Sequence, residues 1–393
     1  MSQVKIDLNN LDKSNWKTYR FDEIAKNISE RVDPNNTDLT VYIGLEHIDS
    51  ESLHIKRHGT PDDVNGTKLK FYKGDVIFGR RRAYQRKAGI ATWDGFCSAH
   101  ALVLRANPDV IDPELFPFFM HSDLFMNRAI DISVGSLSPT INWGTLKHQE
   151  FQLPPKDIQE NLAELIRASD FLVQENSILN KKMEEYRLTY TESILERNDN
   201  TVKIMKLRDL LVNARLGGNY KNSDTDSGLP LIKMGNLGRG KIKLEGLQYI
   251  PESVKHDGND LLEKGDLLFN TRNSLELVGK VSIWNNELPQ ALYNSNILKL
   301  SFNTSIISSN KYMNLVFNSR RGLSQLRSFA VGTTSVAAIY QPELMRFKVP
   351  VISKEKQNEL TRNVDIIDES LDRNRRHISY LEKVKATLIN KVF

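Results

Sequence analysis

Two kinds of hydrophobic pattern alternate along the chain. Short apolar runs, rich in β-branched residues and bounded by Gly, Asp, Asn or Pro, predict strands. These runs lie at residues 40–45, 76–78, 100–104, 230–234, 267–269 and 297–300. Residues 113–119 and 311–317 have the spacing of amphipathic helices. The pattern therefore predicts an α+β protein in which one mixed α/β arrangement occurs twice.

Two longer segments carry a helical pattern. Residues 157–196 and 354–393 contain neither Gly nor Pro, and each would form a helix of roughly 60 Å at 1.5 Å per residue. Alternating steps of four and three residues select mostly apolar positions, more clearly in the second segment, which is typical of a coiled coil. Asn176 and Asn374 lie near the middle of the two seams. Antiparallel pairing would bring these amides together and fix the helix-pair register.

The order of these elements is duplicated. A Phe-x-Leu-Pro-Pro motif at residues 151–155 returns as Phe-x-Val-Pro at 347–350, and Lys-Gly-Asp at 73–75 returns at 264–266. A pseudo-symmetric chain suits a partner with two related half-sites, and duplex DNA is the commonest such partner. The repeat predicts a first globular domain at residues 1–155, a first helix at 156–197, a second globular domain at 198–350 and a second helix at 351–393.

Composition narrows the class of partner and the compartment. Lys and Arg total 54 against 49 for Asp and Glu, which gives a net charge of +5 and mildly favours a polyanion. Cys97 is the only cysteine, so no disulfide can form within the chain and a reducing compartment is expected. The N-terminal residues are polar, and no apolar run reaches the length of a membrane span. A cytoplasmic protein without membrane segments is therefore predicted.

Catalytic patterns are weak in this sequence. The only Pro-Pro pair follows Leu153, so the Asn/Asp-Pro-Pro-aromatic motif of adenine methyltransferases is missing, and no acidic residue stands two before a lysine as many nucleases require. Residues 235–241 resemble a phosphate-binding loop, but Ile242 occupies the Ser/Thr position and a glycine-rich hairpin is favoured. Cys97 and His100 lack a nearby carboxylate, and the other histidines are irregularly spaced. We therefore predict no catalytic residues and no metal site.

Three segments carry candidate DNA-binding residues. The first is basic, contains no acid and interleaves an aromatic and an amide; Arg can bind guanine edges or phosphates, Gln can read adenine and Tyr can stack. The second follows the repeated Lys-Gly-Asp and is richer in amides, and the third is a basic helix within an acid-free stretch. A solvated surface is the alternative for each. The candidates are Arg80, Arg81, Arg82, Tyr84, Gln85, Arg86 and Lys87; Asn270, Thr271, Arg272, Asn273 and Lys280; and Arg320, Arg321 and Arg327.

A family resemblance covers almost the whole chain. The segments YIGLEHI at residues 42–48, KGDVIFG at 73–79 and FCSAH at 96–100, with Leu-Pro-Pro at 153–155 and Gln159, resemble the DNA specificity subunits of type I restriction-modification systems. The resemblance implies two target recognition domains, each reading one part of a bipartite DNA site. It implies that the long helices are spacers that form an antiparallel coiled coil and bind two methylation subunits, with restriction subunits as further partners.

The resemblance also bears on chemistry. S-adenosylmethionine would be bound by the partner methylation subunit, and this chain would hold no cofactor of its own. Two alternatives from other classes remain open: a DNA methyltransferase or nuclease that acts by itself, and a duplicated coiled-coil scaffold that binds only protein. Binding of S-adenosylmethionine by the purified chain would favour the first alternative. Basic segments without influence on DNA affinity would favour the second.

Overall fold

A computed structural model describes residues 11–197, 201–225 and 227–393. The chain divides into two compact units. The first unit consists of Met1–Ile178 and Arg375–Phe393, and the second unit consists of Leu179–Asn374. The predicted mixed α and β class is confirmed, since each unit contains sheets and helices.

The globular part of the first unit is built on two four-stranded sheets and a strand pair. One sheet is antiparallel and has the order Ala25–Ile28, Ala101–Ala106, Val76–Gly79 and Ala88–Ile90. The other has the order Arg31–Val32, Lys68–Phe71, Gly95–Cys97 and Tyr42–Ile43, and its last pair is parallel. Lys17–Arg20 pairs with Glu150–Leu153. The helices are Phe21–Ile24, Phe116–His121, Asp123–Asp131 and Trp143–Leu146, and the 3-10 turns are Pro61–Asp63 and Ala83–Gln85.

The repeated Phe-x-Leu-Pro motif begins in the core. Phe151 is buried, and its ring centroid lies 5.2 Å from that of Phe119 and 5.8 Å from that of Phe125. The predicted helix at residues 113–119 begins only at Phe116, because Pro117 has no N–H to bond the carbonyl of Pro113. Burying an aromatic ring contributes roughly 1.5–3 kcal/mol, so this cluster anchors the helices to the sheet.

The second unit repeats this plan with a larger sheet. Its five-stranded sheet has the order Leu211–Leu216, Ile297–Phe302, Leu267–Asn270, Val281–Ile283 and Gly240–Lys241. One three-stranded sheet has the order Gln248–Ile250, Leu229–Ile232 and Leu292–Tyr293. A second has the order Arg272–Asn273, Ala337–Ala338 and Val331–Gly332. Lys203–Lys206 pairs with Lys348–Val351. The helices are Asn310–Asn318, Arg320–Phe329 and Gln341–Leu344, with 3-10 turns at Leu207–Asp209, Met234–Asn236 and Gly258–Asp260.

The repeated Lys-Gly-Asp segment forms the same turn in both units. Gly74 and Gly265 both have a φ of 96°, in the left-handed region that favours glycine. The carboxylate of Asp75 accepts a hydrogen bond from the amide of Tyr72 at 2.8 Å, and Asp266 accepts one from the amide of Glu263 at 2.9 Å. Both units therefore have a tight turn directly before an apolar strand.

Two long helices span Lys156–Leu195 and Lys354–Val392, and each unit contains a segment of both. In the first unit, Asp170 accepts a hydrogen bond from Lys385 at 2.9 Å, and Leu162 and Ile166 share a core cluster with Ile389 and Val392. These segments therefore run antiparallel within that unit.

The second unit has the same arrangement of helix segments. Arg187 holds Asp368 with two bonds of 2.7 and 3.0 Å, and Asn363 donates to the hydroxyl of Tyr190 at 2.7 Å. Asn374 donates to Oδ1 of Asn180 at 3.5 Å within this unit. In the first unit, Asn176 donates to the carbonyl of Leu172 at 2.8 Å. The direct pairing of Asn176 with Asn374 stays a prediction.

Candidate nucleic-acid interface

The basic segment of the first unit leaves the sheet at the end of Val76–Gly79 and meets a hairpin formed by residues 134–140. The amide of Arg82 donates to the carbonyl of Pro139 at 2.8 Å, and the carbonyl of Arg80 accepts from the amide of Ile141 at 2.8 Å. Arg81 forms an antiparallel bridge with Thr140. These backbone hydrogen bonds therefore fix the path of the chain through Arg80, Arg81 and Arg82 after the strand ends.

The tip of this hairpin is apolar and exposed. The backbones of Val134 and Thr140 exchange two hydrogen bonds of 2.9 and 3.0 Å. Gly135 allows the reversal because its φ is 118°. The side chain of Leu137 is 94% exposed, which is unusual for a leucine, and Val134 is 68% exposed. A narrow two-stranded projection of this kind fits the width of a DNA major groove.

An open cleft of 350 Å³ lies beside the hairpin. Arg81, Arg82 and Tyr84 are exposed, and Gln85 is partly exposed. Burial, together with the charges of Arg81 and Arg80, lowers the pKa of His100. The cleft is therefore electropositive and accessible. It is lined by Leu45, Glu46, Arg81, Arg82, Gln85, Lys87, His100 and Ser138.

Two of the remaining candidates of this segment, Arg86 and Lys87, form hydrogen bonds within the protein. Arg86 donates to the carboxylate of Asp123 at 2.6 Å and lies 3.6 Å from that of Glu51. Lys87 donates to the carbonyl of Leu45 at 2.7 Å while its side chain lines the cleft. Arg80 is partly buried and its Nε has no hydrogen-bond partner among the described residues. Arg86 is therefore paired with carboxylates within the protein, and its contact with DNA stays a prediction.

The second unit places an arginine in the same position relative to a hairpin. Arg272–Asn273 pairs antiparallel with Ala337–Ala338, and Ala337–Ala338 pairs with Val331–Gly332. Arg272 bridges Ala338 as Arg81 bridges Thr140, and each arginine is the third residue after the Phe that ends the repeated apolar run. Val331 and Val336 are 60% and 69% exposed on this hairpin. The constellation of arginine and apolar hairpin is thus duplicated.

Two candidates from the amide-rich segment of the second unit form hydrogen bonds within the protein. Asn270 is completely buried, and its Oδ1 accepts from the amide of Arg272 at 3.2 Å. Thr271 donates its hydroxyl proton to the carbonyl of Asn296 at 2.8 Å. The side chain of Asn270 is therefore not exposed in this structure, and contact of Thr271 with DNA stays a prediction. Arg272 is exposed and Asn273 is partly exposed.

A cluster of cations lies around Lys280. Burial and the charges of Lys243 and Arg239 lower the pKa of Lys280, and burial and the charge of Arg327 lower the pKa of Arg239. Mutual repulsion in this cluster would be relieved by a bound polyanion. We name Arg239, Lys243, Lys280 and Arg327 the second-unit cationic cluster. Arg239 and Lys243 were not among the residues predicted from the sequence; Arg239 lies in the glycine-rich stretch at residues 235–241, and Lys243 lies two residues after it.

Arg320 and Arg321 stand at the other end of the helix Arg320–Phe329 from Arg327. Arg320 lies 3.3 Å from the carboxylate of Glu192, and its amide also donates to Glu192 at 3.1 Å. Arg321 is exposed and lines a small crevice with Leu195. These two arginines are therefore not brought together with the second-unit cationic cluster.

Within residues 11–197, 201–225 and 227–393, no group of three or more His, Cys, Asp or Glu could hold a metal ion. Burial raises the pKa of Cys97 to about 12, which keeps its thiol protonated. In the same part of the chain, no helix combines the length and apolarity needed to cross a membrane.

A model of a known protein family matches the first part of the chain. Residues 13–184 match the type I restriction modification DNA specificity domain. The resemblance to specificity subunits of type I restriction-modification systems that the sequence indicates is therefore confirmed.

Two curated relatives and one solved structure illustrate the match. The chain is 28% identical over 151 residues to the type I restriction enzyme EcoDI specificity subunit of Escherichia coli, which covers 38% of this chain and 33% of the relative. It is 26% identical over 194 residues to the putative type I restriction enzyme MjaX specificity subunit of Methanocaldococcus jannaschii, and these residues cover 49% of this chain and 45% of the relative. The chain thus spans less than half the length of either relative. The type I restriction-modification S subunit from M. genitalium has a TM-score of 0.56 at 15% identity over 96% of both chains, which shows a shared fold.

Proposed function

We propose that the chain is a non-catalytic specificity subunit that binds duplex DNA through its two globular parts. Each part reads one half of a bipartite, asymmetric site. The observation that carries this proposal is the duplicated constellation, in which Arg81 bridges Thr140 and Arg272 bridges Ala338 beside an exposed hairpin. The family match over residues 13–184 supports the same function. The differing side chains around the two arginines imply two different half-sites.

The charge distribution supports a polyanionic partner. Among the described residues, no ion pair is found for Arg81, Arg82, Arg272 or Lys280. Uncompensated surface cations bind DNA phosphates with release of counterions. By contrast, Arg86 and Arg320 are neutralised by carboxylates. The free cations therefore mark the DNA-binding surface of each unit better than the total charge does.

The test compares two exposed arginines of the cleft with an arginine elsewhere that is already paired with a carboxylate. An Arg81→Ala, Arg82→Ala double variant should lower the slope of log affinity against log salt by about 1 for each phosphate that the two arginines neutralise. It should also weaken binding by about 1 to 3 kcal/mol for each base edge that they read. Arg167→Ala is the control, because Arg167 is paired with Glu114 outside the cleft. Equal affinity and slope for the double variant and the wild type would contradict DNA binding by this cleft.

The long helices would hold the two recognition domains apart as an antiparallel coiled coil and present surfaces to two methylation subunits. The antiparallel contacts of Asp170 with Lys385 and of Arg187 with Asp368, each within its own unit, support this arrangement. Inserting four residues beside Asn176 lengthens that helix by about 6 Å. The insertion should widen the gap between the half-sites and leave both half-site sequences unchanged. Altered half-site sequences would contradict a spacer role.

S-adenosylmethionine and the chemistry of methylation would belong to the partner methylation subunit in the cytoplasm, with restriction subunits as optional further partners. The family of the matched domain supports this division of labour. Equilibrium dialysis of the purified chain with S-adenosylmethionine provides a direct test. Retention of the ligand by the chain alone, or methylation of DNA without a partner, would contradict it.

A further inference from the structure

The hairpin of residues 134–140 presents a bare leucine at its tip. Leu137 is 94% exposed, more than any other large hydrophobic side chain in the part of the chain that the structure describes. Single exposed apolar residues are common on protein surfaces, so the position of this one decides what it means. Leu137 stands at the end of a projection, where it is the first side chain to meet an approaching partner.

Backbone hydrogen bonds hold this tip beside the electropositive cleft. Ser138, the residue after Leu137, lines the cleft together with Arg81 and Arg82. The carbonyl of Ser138 accepts a hydrogen bond from the hydroxyl of Thr140 at 3.0 Å, and the next carbonyl accepts one from the amide of Arg82 at 2.8 Å. The apolar tip and the two arginines therefore belong to one surface of the first unit.

The second unit has a similar hairpin with a different tip. Val134-Gly135 returns as Val331-Gly332, and both glycines have a positive φ, of 118° and 142°. Counted from these pairs, Thr334 takes the place of Leu137. The two hairpins thus begin with the same reversal of the chain and present different side chains at the tip.

The chemistry of leucine restricts what the tip can recognise on DNA. Leucine forms no side-chain hydrogen bond, so contact with a phosphate would only remove water from the phosphate oxygens without replacing its hydrogen bonds. On the major-groove edges, guanine, adenine and cytosine are recognised by hydrogen-bond donors and acceptors, whereas thymine adds a 5-methyl group. Packing that methyl group against leucine removes apolar surface from water on both partners.

We propose that Leu137 is a specificity-determining residue that packs against the 5-methyl group of a thymine in the first half-site. This inference rests on the proposed DNA-binding function and assigns one base contact to it. Arg81 and Arg82 bind the DNA beside the hairpin, while the hairpin enters the major groove with its tip toward the base edges. Contacts to phosphates position the unit, and Leu137 contributes discrimination between bases.

The first test removes the methyl group from the DNA. Selection from a randomised duplex library with the full-length chain identifies the two half-sites. Each thymine of the selected duplex is then replaced in turn by deoxyuridine, which lacks the 5-methyl group and keeps the base pair. At one position of one half-site, the replacement should weaken binding of the wild type about fourfold, the factor that corresponds to one buried methyl group. Leu137→Ala should bind both duplexes equally.

The other hairpin offers the matched control. Thr334→Ala shortens the side chain at the tip of the second hairpin and should keep the fourfold loss at the position that the wild type identifies. Leu137 and Thr334 are both exposed, so neither substitution should alter the thermal melt. Melting curves that match that of the wild type would establish that both variants are folded.

A second probe separates the methyl group from the hydrogen-bonding pattern of thymine. The sensitive T·A pair is replaced by C·G, and the cytosine is then replaced by 5-methylcytosine, which carries a methyl group on the same ring carbon as thymine. The wild type should bind the 5-methylcytosine duplex about fourfold more tightly than the cytosine duplex. Leu137→Ala should not distinguish between them.

The outcomes separate this inference from the function on which it rests. Equal sensitivity to deoxyuridine in the wild type and in folded Leu137→Ala would overturn the role of Leu137. A selected site in which no thymine is sensitive would overturn it as well, while leaving sequence-specific binding intact. A wild-type chain that enriches no sequence at all would overturn the proposed DNA-binding function, and this inference with it.

Discussion

Gln159 and Gln357 make the same three hydrogen bonds at equivalent positions of the two units. Gln159 accepts from the amide of Asp112 at 2.6 Å and donates to the carbonyls of Val110 and Pro154 at 2.9 and 2.8 Å. Gln357 accepts from the amide of Ser308 at 2.8 Å, and its two donor bonds to the carbonyls of Ile306 and Ile352 are 2.9 and 2.8 Å long. Both side chains are buried. Each glutamine therefore ties the start of a long helix to the loop and strand end of its own globular part.

Replacing Gln159 with leucine should destabilise the first unit by about 2–4 kcal/mol, because one amide and two carbonyls are left without partners in a buried site. Urea unfolding of the full-length chain and hydrogen exchange at the amide of Asp112 would measure the effect. Gln152→Leu is the control, since Gln152 is exposed on the adjoining strand and should change stability by less than about 0.5 kcal/mol. Unchanged exchange at Asp112 in Gln159→Leu would contradict the anchoring role.

Acidification should destabilise the first unit through His121. Burial lowers the pKa of this histidine to about 4, the charges of Lys385 and Arg86 act in the same direction, and its Nε2 lies 2.7 Å from the carbonyl oxygen of Ala88. The folded pKa lies below the unfolded value of about 6.5, so the unfolded state binds more protons between these values and stability falls as pH falls through this window.

The destabilisation attributable to His121 at pH 5 should be at most about 2 kcal/mol, because the side chain is partly exposed. Urea midpoints at pH 7 and pH 5 would measure it. The variant His121→Gln should show a smaller difference between the two pH values. The opposite result, with a larger difference in the variant, would place the titration on another group.

Lys280→Ala should lower the salt slope of DNA binding by about 1 without destabilising the second unit. The physical reason is that Lys280 repels Lys243 and Arg239 in the free chain, so a bound anion would stabilise its charge. Lys311→Ala is the matched control because Lys311 is already paired with Asp365 at 2.6 Å. Identical slopes for Lys280→Ala and Lys311→Ala would remove the second-unit cationic cluster from the interface.

Cys97 should resist thiol reagents in the folded chain. Its side chain is buried, and a pKa of about 12 leaves almost no thiolate at pH 8. Reaction with a chromogenic disulfide should therefore proceed at the rate of opening of the first unit and accelerate in urea. Immediate reaction of the native protein would show that the strand Gly95–Cys97 is more accessible than its burial indicates.

Local sequence patterns predict the parts of the fold that local forces determine. The left-handed glycines of the Lys-Gly-Asp turns and the long helices without Gly or Pro follow from backbone preference. Arg86 illustrates the opposite case: its partner Asp123 is distant in the sequence, so no local signal separates it from exposed Arg81 and Arg82. Asn270 also lies in a polar stretch, yet it ends a strand whose four residues are all buried.

The candidate site is only partly predictable from the sequence for a related reason. A basic run identifies the surface, but the contribution of each cation depends on carboxylates brought by other elements.

The buried glutamines have a consequence for inheritance. The three groups that bond the side chain of Gln159 lie between Val110 and Pro154, and those that bond Gln357 lie between Ile306 and Ile352. A gene segment that ends within the long helix, after the codon for either glutamine, carries the anchor together with these partners. Genetic recombination at such points would exchange one globular domain together with the hydrogen-bond partners that orient it. New DNA specificities could then arise by crossover as well as by point mutation.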